Sequence, residues 1–189
     1  MTETSRPLRA DARRNRARVL EAAESILARE GMGASLREIA RQAGVGLATI
    51  YRQFPTKEAL YQAIVVERVR RLVEEARALA TAEEAGAAFF AFFTRIVADA
   101  TGKKVLVDAL ADAGVDVEAD VGDLKREMVD AIEVLLVRAQ RADAVRDDLA
   151  MPELLALLTA ACLGAERNHW DERMRTRALA LMFDGFRPR

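Results

Sequence analysis

Apolar residues recur every three or four positions through almost the whole chain, and this spacing limits the possible folds more than any other feature. Such spacing gives an α-helix one apolar face. No stretch alternates between apolar and polar residues in the manner of a half-buried strand. Only 4 Pro and 10 Gly occur among the 189 residues. We therefore predict an all-α protein of about nine helices, with approximate bounds 11–30, 35–43, 47–54, 56–80, 81–100, 103–113, 122–142, 152–168 and 171–186.

Capping residues and glycines set the predicted ends of these helices. The segments Ser35–Glu38 and Thr81–Glu84 both have the pattern of a capping box, and Thr56 can cap the helix that follows it. Gly102 is expected to break the chain between two helices. Residues 1–10 are polar and are predicted to form a flexible basic arm.

The predicted helices fall into two parts without a Gly/Ser-rich linker between them. Residues 11–55 hold three short helices, and residues 56–189 hold a larger helical bundle. The helix that begins at Thr56 must connect the two parts rigidly. At 1.5 Å per residue it would be roughly 35 Å long.

The charge is unevenly distributed, although acidic and basic residues nearly cancel overall. Residues 1–57 contain 11 Lys and Arg against 6 Asp and Glu, whereas residues 58–189 contain 18 against 24. A basic N-terminal part joined to an acidic body is typical of a chain whose first segment meets phosphates.

Several protein classes are disfavoured by composition. Cys162 is the single cysteine, so an internal disulfide is excluded and a reducing cytoplasm is the expected compartment. The longest apolar run has about nine residues, half of a membrane span, and no apolar segment follows the N-terminal basic residues as in a secretory signal. With one histidine and no glycine-rich phosphate loop, we predict no enzyme activity, no cofactor and no metal site.

The most informative stretch is 35–60, which reads as a helix, a tight glycine turn and a second helix of about two turns. Gly44 supplies the backbone freedom that a helix C-terminus needs. Five apolar positions can share one small core: Ile39, Ala40, Val45, Ile50 and Phe54. This arrangement predicts a helix-turn-helix, whose second helix lies in the major groove of DNA.

The outward positions of the second helix suit contacts with a duplex. Its first residues are small and permit a close approach, while Leu47 and Thr49 can touch thymine methyl groups. Arg52 can reach guanine or a phosphate, and Tyr51 a phosphate oxygen. Lys57 stands at a helix N-terminus, where the dipole disfavours a cation, and a phosphate between the two would explain its position. The predicted DNA-binding residues are Arg14, Ser35, Arg37, Gly46, Leu47, Ala48, Thr49, Tyr51, Arg52 and Lys57.

This stretch closely resembles the helix-turn-helix of the tetracycline-repressor (TetR) family. The resemblance covers about residues 13–62 and includes the segments Arg18–Ala23, Ala43–Val45, Thr49–Tyr51 and Lys57–Leu60. The sequence departs from the family at two positions, each of which has one potential phosphate bond. Gly46 stands where the family often has serine, and Gln53 where it often has histidine or tyrosine.

The resemblance implies a homodimeric repressor of double-stranded DNA. It also implies that the last two helices form a four-helix dimer interface, and that the C-terminal bundle encloses a ligand cavity for an unknown small-molecule effector. Residues 56–189 would then be a ligand-binding and dimerisation domain. We expect Phe89, Phe92 or Phe93 on the cavity wall, and a mainly apolar ligand.

Some of these residues also have an ordinary structural interpretation. The basic run Arg9–Arg18 could be a solvated arm or a DNA contact, and the same choice applies to Arg37 and Arg41. The phenylalanines could be core alone. His169 is expected at a helix end or an interface. The acidic loop 116–127 resembles a calcium loop but has Val121 in place of the required glycine, so a solvated loop is expected.

Two functions remain open at this point. The first is a ligand-responsive repressor that binds palindromic operator DNA. The second is a helical small-molecule-binding or enzymatic bundle without a DNA function. Salt-dependent affinity for duplex DNA would separate them.

Overall fold

The computed structural model describes the backbone of residues 5–188, and its side chains except those of residues 5–10, 13, 32, 101–105 and 118–119. Residues 5–188 form eight α-helices and one 3-10 helix and contain no β-strand, which confirms the all-α class and the expected number of nine helices. In chain order the elements are α1 (Ser5–Glu30), the 3-10 helix (Gly31–Gly33), α2 (Leu36–Ala43), α3 (Leu47–Gln53), α4 (Lys57–Leu79), α5 (Ala85–Asp112), α6 (Glu118–Arg141), α7 (Met151–Arg167) and α8 (Glu172–Phe186).

The first helix is longer than predicted. It begins at Ser5, so the predicted start at residue 11 is wrong, and residues 1–4 lie outside the described chain. The flexible basic arm predicted over residues 1–10 stays a prediction. Pro7 falls in the first turn, where a backbone N–H has no helical partner and proline is tolerated. Leucine, arginine and alanine, which follow it, are good helix formers.

The predicted break at Gly102 is also wrong, because α5 continues through this residue. A glycine inside a helix costs about 1 kcal/mol relative to alanine. Buried residues anchor the helix on both sides of the glycine, with Val97 at 0% and Leu106 at 3% exposure. This packing outweighs a local penalty of that size.

Two helix starts differ from the prediction as well. Thr81 does not cap α5, since its hydroxyl donates to the carbonyl of Ala78 (2.8 Å) and the helix begins only at Ala85. Helix α6 begins at Glu118 rather than Gly122. Acidic residues are frequent at its start, where the helix dipole favours negative charge.

Two apolar cores divide the molecule, and the division falls along α4. The first core joins α1–α3 to the first half of α4, up to Val69, and also contains Leu106 and Leu110 of α5 and Val121 of α6. The second core begins at Leu72 and contains the first half of α5, most of α6, and α7 with α8. Helices α4, α5 and α6 therefore pass through both cores. The predicted domain boundary between residues 55 and 56 stays a prediction.

Polar contacts tie α4 to both of its neighbours. On one side, Glu24 of α1 pairs with Arg71 and lies 3.4 Å from Arg68 Nε. This pairing raises the pKa of the Arg71 guanidinium. At the far end, Arg138 of α6 donates to the carbonyls of Ala80 (2.5 Å) and Ala82 (2.6 Å), just beyond the last turn of α4. The position of α4 thus depends on the first helix and on the bundle together.

Candidate nucleic-acid interface

Helix α2 starts as predicted, but with half of the capping box. The Ser35 hydroxyl accepts a hydrogen bond from the backbone N–H of Arg37 (3.2 Å). The Glu38 carboxylate accepts from Arg41 Nε (3.0 Å), and this bond is the main cause that lowers the pKa of Glu38. Ser35 therefore acts as a helix cap, and the predicted DNA contact of this residue stays a prediction.

The turn between α2 and α3 depends on Gly44. Its φ of +64° and ψ of +37° lie in the left-handed region, which glycine enters without steric cost. The next residue closes the turn, because the N–H of Val45 donates to the carbonyl of Ala40 (3.0 Å). The sequence prediction of a glycine-terminated helix is confirmed here in its backbone geometry.

Helix α3 is held by one buried face. Ile50 is completely buried and Phe54, at its C-terminal end, is 2% exposed. The carbonyl of Gly46 accepts from the N–H of Thr49 (2.9 Å) and so begins the helix. At the other end, the amide oxygen of Gln53 is buried and has no hydrogen-bond partner among the described residues.

The opposite face of α3 is open to solvent. Tyr51 is 51% exposed, which is unusual for so large a side chain, and Ala48 and Arg52 are exposed beside it. The Arg52 guanidinium lies 3.4 Å from the hydroxyl of half-buried Thr49. Leu47 is half-buried and packs against the first core. The predicted contact residues of α3 therefore share one accessible surface, with Leu47 at its edge.

The N-terminus of α4 adjoins this surface in sequence. Thr56 caps the helix by accepting from the N–H of Ala59 (3.1 Å), as predicted. The pKa of Glu58 is lowered by hydrogen bonds from its own backbone N–H and from the Thr56 hydroxyl. Lys57 is half-buried in the same turn. A lysine at this end of the helix has no stabilising role for the helix itself.

The arginines of the predicted basic arm differ in their surroundings. Arg14 is exposed and pairs with Asp11 one turn earlier. Arg16 lies over the ring of Phe54, 4.6 Å from its centroid, and Arg18 donates to the carbonyl of Ala43 (2.5 Å). The side chains of Arg9 and Arg13 lie outside the described part of the chain.

The contacts of Arg16 and Arg18 have no local sequence signal, since their partners are 38 and 25 residues away. Arg37 and Arg41 are both exposed on α2, and Arg41 pairs with Glu38. Their assignment to DNA stays a prediction.

The three phenylalanines expected on a cavity wall surround one small apolar void. Phe89, Phe92 and Phe93 are almost completely buried and line a cavity of about 10 Å³. That volume corresponds to roughly one water-sized sphere. The other lining residues are Ile96, Ile132, Leu135, Leu154 and Leu158. In this conformation the bundle holds no effector-sized space at these residues, and their ligand role stays a prediction.

The last two helices expose an unusual amount of apolar surface. Leu157 and Leu163 of α7 are 36% and 43% exposed, and Met174 and Leu181 of α8 are 52% and 60% exposed. The inner side of α8 is occupied by aromatic contacts, for example between Phe183 and Phe90 of α5 (ring centroids 4.7 Å apart). The outer side is free to bind a further surface.

The described residues contain no group of three His, Cys, Asp or Glu side chains that could hold a metal ion. The expected acidic loop 116–127 is wrong from residue 118 on, because these residues form the first turns of α6. Within this segment Gln62 donates to the carboxylate of Asp120 and Arg77 pairs with Glu127 (2.8 Å), while the Glu118 side chain lies outside the described part. His169 is exposed in the turn between α7 and α8 with a φ of +48°. No helix in residues 5–188 has the length and apolar character to cross a membrane.

Comparison with known families gives two matches along the chain. Residues 19–64 match the family model of bacterial regulatory proteins of the tetR family. Residues 84–188, more than half of the chain, match the model for the C-terminal domain of SbtR-like transcriptional regulators. A comparison with curated protein sequences found no match.

Solved structures with the same fold include two regulators that are clearly related in sequence. A TetR transcription regulatory protein from Mycobacterium vanbaalenii is 42% identical, with a TM-score of 0.79 over 96% of this chain and 100% of its own. A TetR transcriptional regulator from Streptomyces coelicolor is 32% identical, with a TM-score of 0.75 over 92% and 98%. A gamma-butyrolactone receptor shares the fold at 24% identity, with a TM-score of 0.59 over 94% and 90%.

Proposed function

This chain belongs to the TetR family of transcriptional regulators, and from that membership we propose that it is a ligand-responsive repressor that binds palindromic operator DNA as a homodimer in the cytoplasm. The observation that carries this proposal is the accessible face of α3. Helix α3 is anchored by buried Ile50 and Phe54, while Tyr51 and Arg52 are exposed to solvent. A rigid helix with an open polar face is what major-groove binding requires.

The dimer would form through α7 and α8. Their exposed leucines and methionine would become buried against the same face of a second copy, which is an isologous interface. A two-fold axis there would present two α3 helices to one side of a duplex. In dimeric helix-turn-helix proteins the two helices are about 34–36 Å apart, one turn of DNA.

The effector would enter the second core near Phe89, Phe92 and Phe93. Because the cavity is apolar and measures only about 10 Å³, a ligand there requires a more open state of the bundle. A ligand shifts an equilibrium only through its different affinity for the two states. Helices α4–α6 pass through both cores, so opening the second core can displace the first. The gamma-butyrolactone receptor of the same fold is consistent with a small, weakly polar effector.

Genome-wide mapping of bound DNA tests the proposal and supplies the operator. We expect a small number of sites that share an inverted repeat. The recovered duplex and a scrambled duplex are then titrated across a salt series, where the affinity for both falls steeply as salt rises. A helical bundle without a DNA function would give no enriched sites and no salt-dependent binding.

The effector half of the proposal needs a separate experiment. An alkyl-substituted γ-butyrolactone serves as the probe and is titrated into the complex of the chain with its operator. Release of DNA at a saturable concentration supports an apolar effector site. A complex that no apolar compound of this size can dissociate would instead indicate a DNA-binding dimer that senses no such ligand.

A further inference from the structure

The guanidinium of Arg18 reaches from α1 to the turn of the helix-turn-helix. One terminal nitrogen donates to the carbonyl of Ala43 (2.5 Å) and lies 3.5 Å from the carbonyl of Gly44. Both carbonyls belong to the C-terminal end of α2, where the helix leaves its last acceptors without internal partners. A cation at this end also complements the helix dipole.

The guanidinium of Arg18 packs closely against the turn at Gly44. A Cβ placed on Gly44 would lie 2.6 Å from the same Arg18 nitrogen, so a side chain at residue 44 would displace the guanidinium from this position. The backbone of Arg18 is fixed by its neighbours Val19 and Leu20, which are 0% and 4% exposed. Its second terminal nitrogen lies 3.5 Å from the side-chain oxygen of Asn15 on the same helix.

From this geometry we infer that Arg18 is a positioning residue for α3 and not a phosphate contact. Helix α3 begins at Leu47, three residues after Gly44. A displacement of the turn would therefore also move the outward face of α3. Base readout requires neighbouring groups whose packing and hydrogen bonds hold the contacting side chains to within about 0.5 Å. The inference rests on the proposed DNA-binding function.

A second contact from α1 supports this assignment. Arg16, two residues before Arg18, covers the ring of Phe54 at the C-terminal end of α3. Helix α1 therefore contacts both the turn before α3 and the residue that ends it. These two members of the basic run contact the helix-turn-helix, whereas Arg14 pairs with Asp11 of its own helix.

The test uses the full-length chain with Arg18→Lys, Arg18→Ala and a matched control, Arg29→Ala. Lysine keeps the charge, which suffices for a phosphate contact, but it cannot reproduce the planar guanidinium. Arg29 lies on the same helix and also reaches the last turn of α2, but it donates to the side chain of Gln42 (3.3 Å) and not to a backbone carbonyl. Each variant is titrated with operator and scrambled duplexes across a salt series, and the exchange of backbone amide hydrogens is followed in the turn.

A positioning role predicts that Arg18→Lys loses about tenfold in operator affinity, the equivalent of one charged hydrogen bond, with little change for scrambled DNA. The salt slope stays that of the wild type. The backbone amide hydrogens of Gly44 and Val45 exchange faster in both Arg18 variants, and they exchange at the wild-type rate in Arg29→Ala.

The opposite result is equally clear. If Arg18→Lys binds like the wild type while Arg18→Ala weakens both duplexes equally and lowers the salt slope by about one per chain, Arg18 is a phosphate contact and the inference is wrong. Unchanged amide exchange at Gly44 and Val45 in Arg18→Ala would also refute the positioning role, independently of any DNA-binding measurement. Absence of salt-dependent binding by the wild type would refute the proposed function instead.

Discussion

At the scale of single residues, Lys57 is assigned the simplest role, that of holding a phosphate. It lies half-buried in the first turn of α4, where a cation is unfavourable for the helix. Lys57→Ala is expected to weaken operator and scrambled duplex by the same factor, because phosphates are alike in every sequence. The slope of log affinity against log salt should fall by about one per chain. A loss confined to the operator would show that Lys57 reads sequence.

Arg52 is expected to read a base. It is exposed on the same face of α3 as Tyr51 and lies beside the Thr49 hydroxyl. Arg52→Ala should cost about 1–3 kcal/mol of binding free energy on the operator and less on scrambled DNA, so the difference in affinity between the two duplexes becomes smaller. Thr49→Ala should reduce this difference less, since a methyl contact is weaker than a hydrogen-bonded base contact. Equal loss on both duplexes would make Arg52 a phosphate contact like Lys57.

At the scale of helices, two glycines allow a matched stability test. A Cβ on Gly86 of α5 would lie 2.4 Å from the Cβ of Ala144, whereas a Cβ on Gly122 of α6 meets nothing within 4 Å. Alanine stabilises a helix interior by about 1 kcal/mol relative to glycine. Gly122→Ala should therefore raise the free energy of unfolding in urea. Gly86→Ala should lower it, because α5 must move away from the 142–145 turn, and a rise of equal size in both variants would contradict this packing.

The helix ends that depend on local chemistry were predicted correctly from the sequence. The turn at Gly44 follows from a backbone conformation that glycine favours, and the cap at Thr56 from a hydroxyl that can reach an N–H three residues later. Gly102 and Thr81 carry the same kinds of signal, yet neither ends or begins a helix. At Gly102 the packing of α5 outweighs a local preference of about 1 kcal/mol, whereas the Thr81 hydroxyl instead donates to a carbonyl in the last turn of α4.

The predicted contact face of α3 could be read from sequence because a two-turn helix has one buried side and one open side. The role of Arg18 could not, since its partner carbonyls are 25 and 26 residues away and any arginine before such a motif resembles a phosphate contact. The packing of Leu106 and Leu110 into the first core was unpredictable for the same reason. Helical periodicity shows that a face is buried but not which helix covers it.

At the scale of the whole molecule, the proposed assembly is a dimer of α7 and α8. Sedimentation at micromolar concentration should give twice the chain mass of 20.8 kDa. Leu181→Glu would place a charge on the most exposed leucine of α8, at 60%, and should yield monomers. The matched control is Val134→Glu on α6, which is 47% exposed and should stay dimeric. Monomers in the wild type, or dissociation by the control alone, would rule out this interface.

The central claim is that the accessible face of α3 binds duplex DNA, and its most direct test is the affinity of the wild-type chain for a duplex as salt is raised. The account predicts that log affinity falls linearly with log salt, with a slope close to the number of phosphates contacted. An operator recovered from the genome should bind more tightly than its scrambled form at every salt concentration. No measurable binding at low salt, or binding that does not respond to salt, would contradict the account.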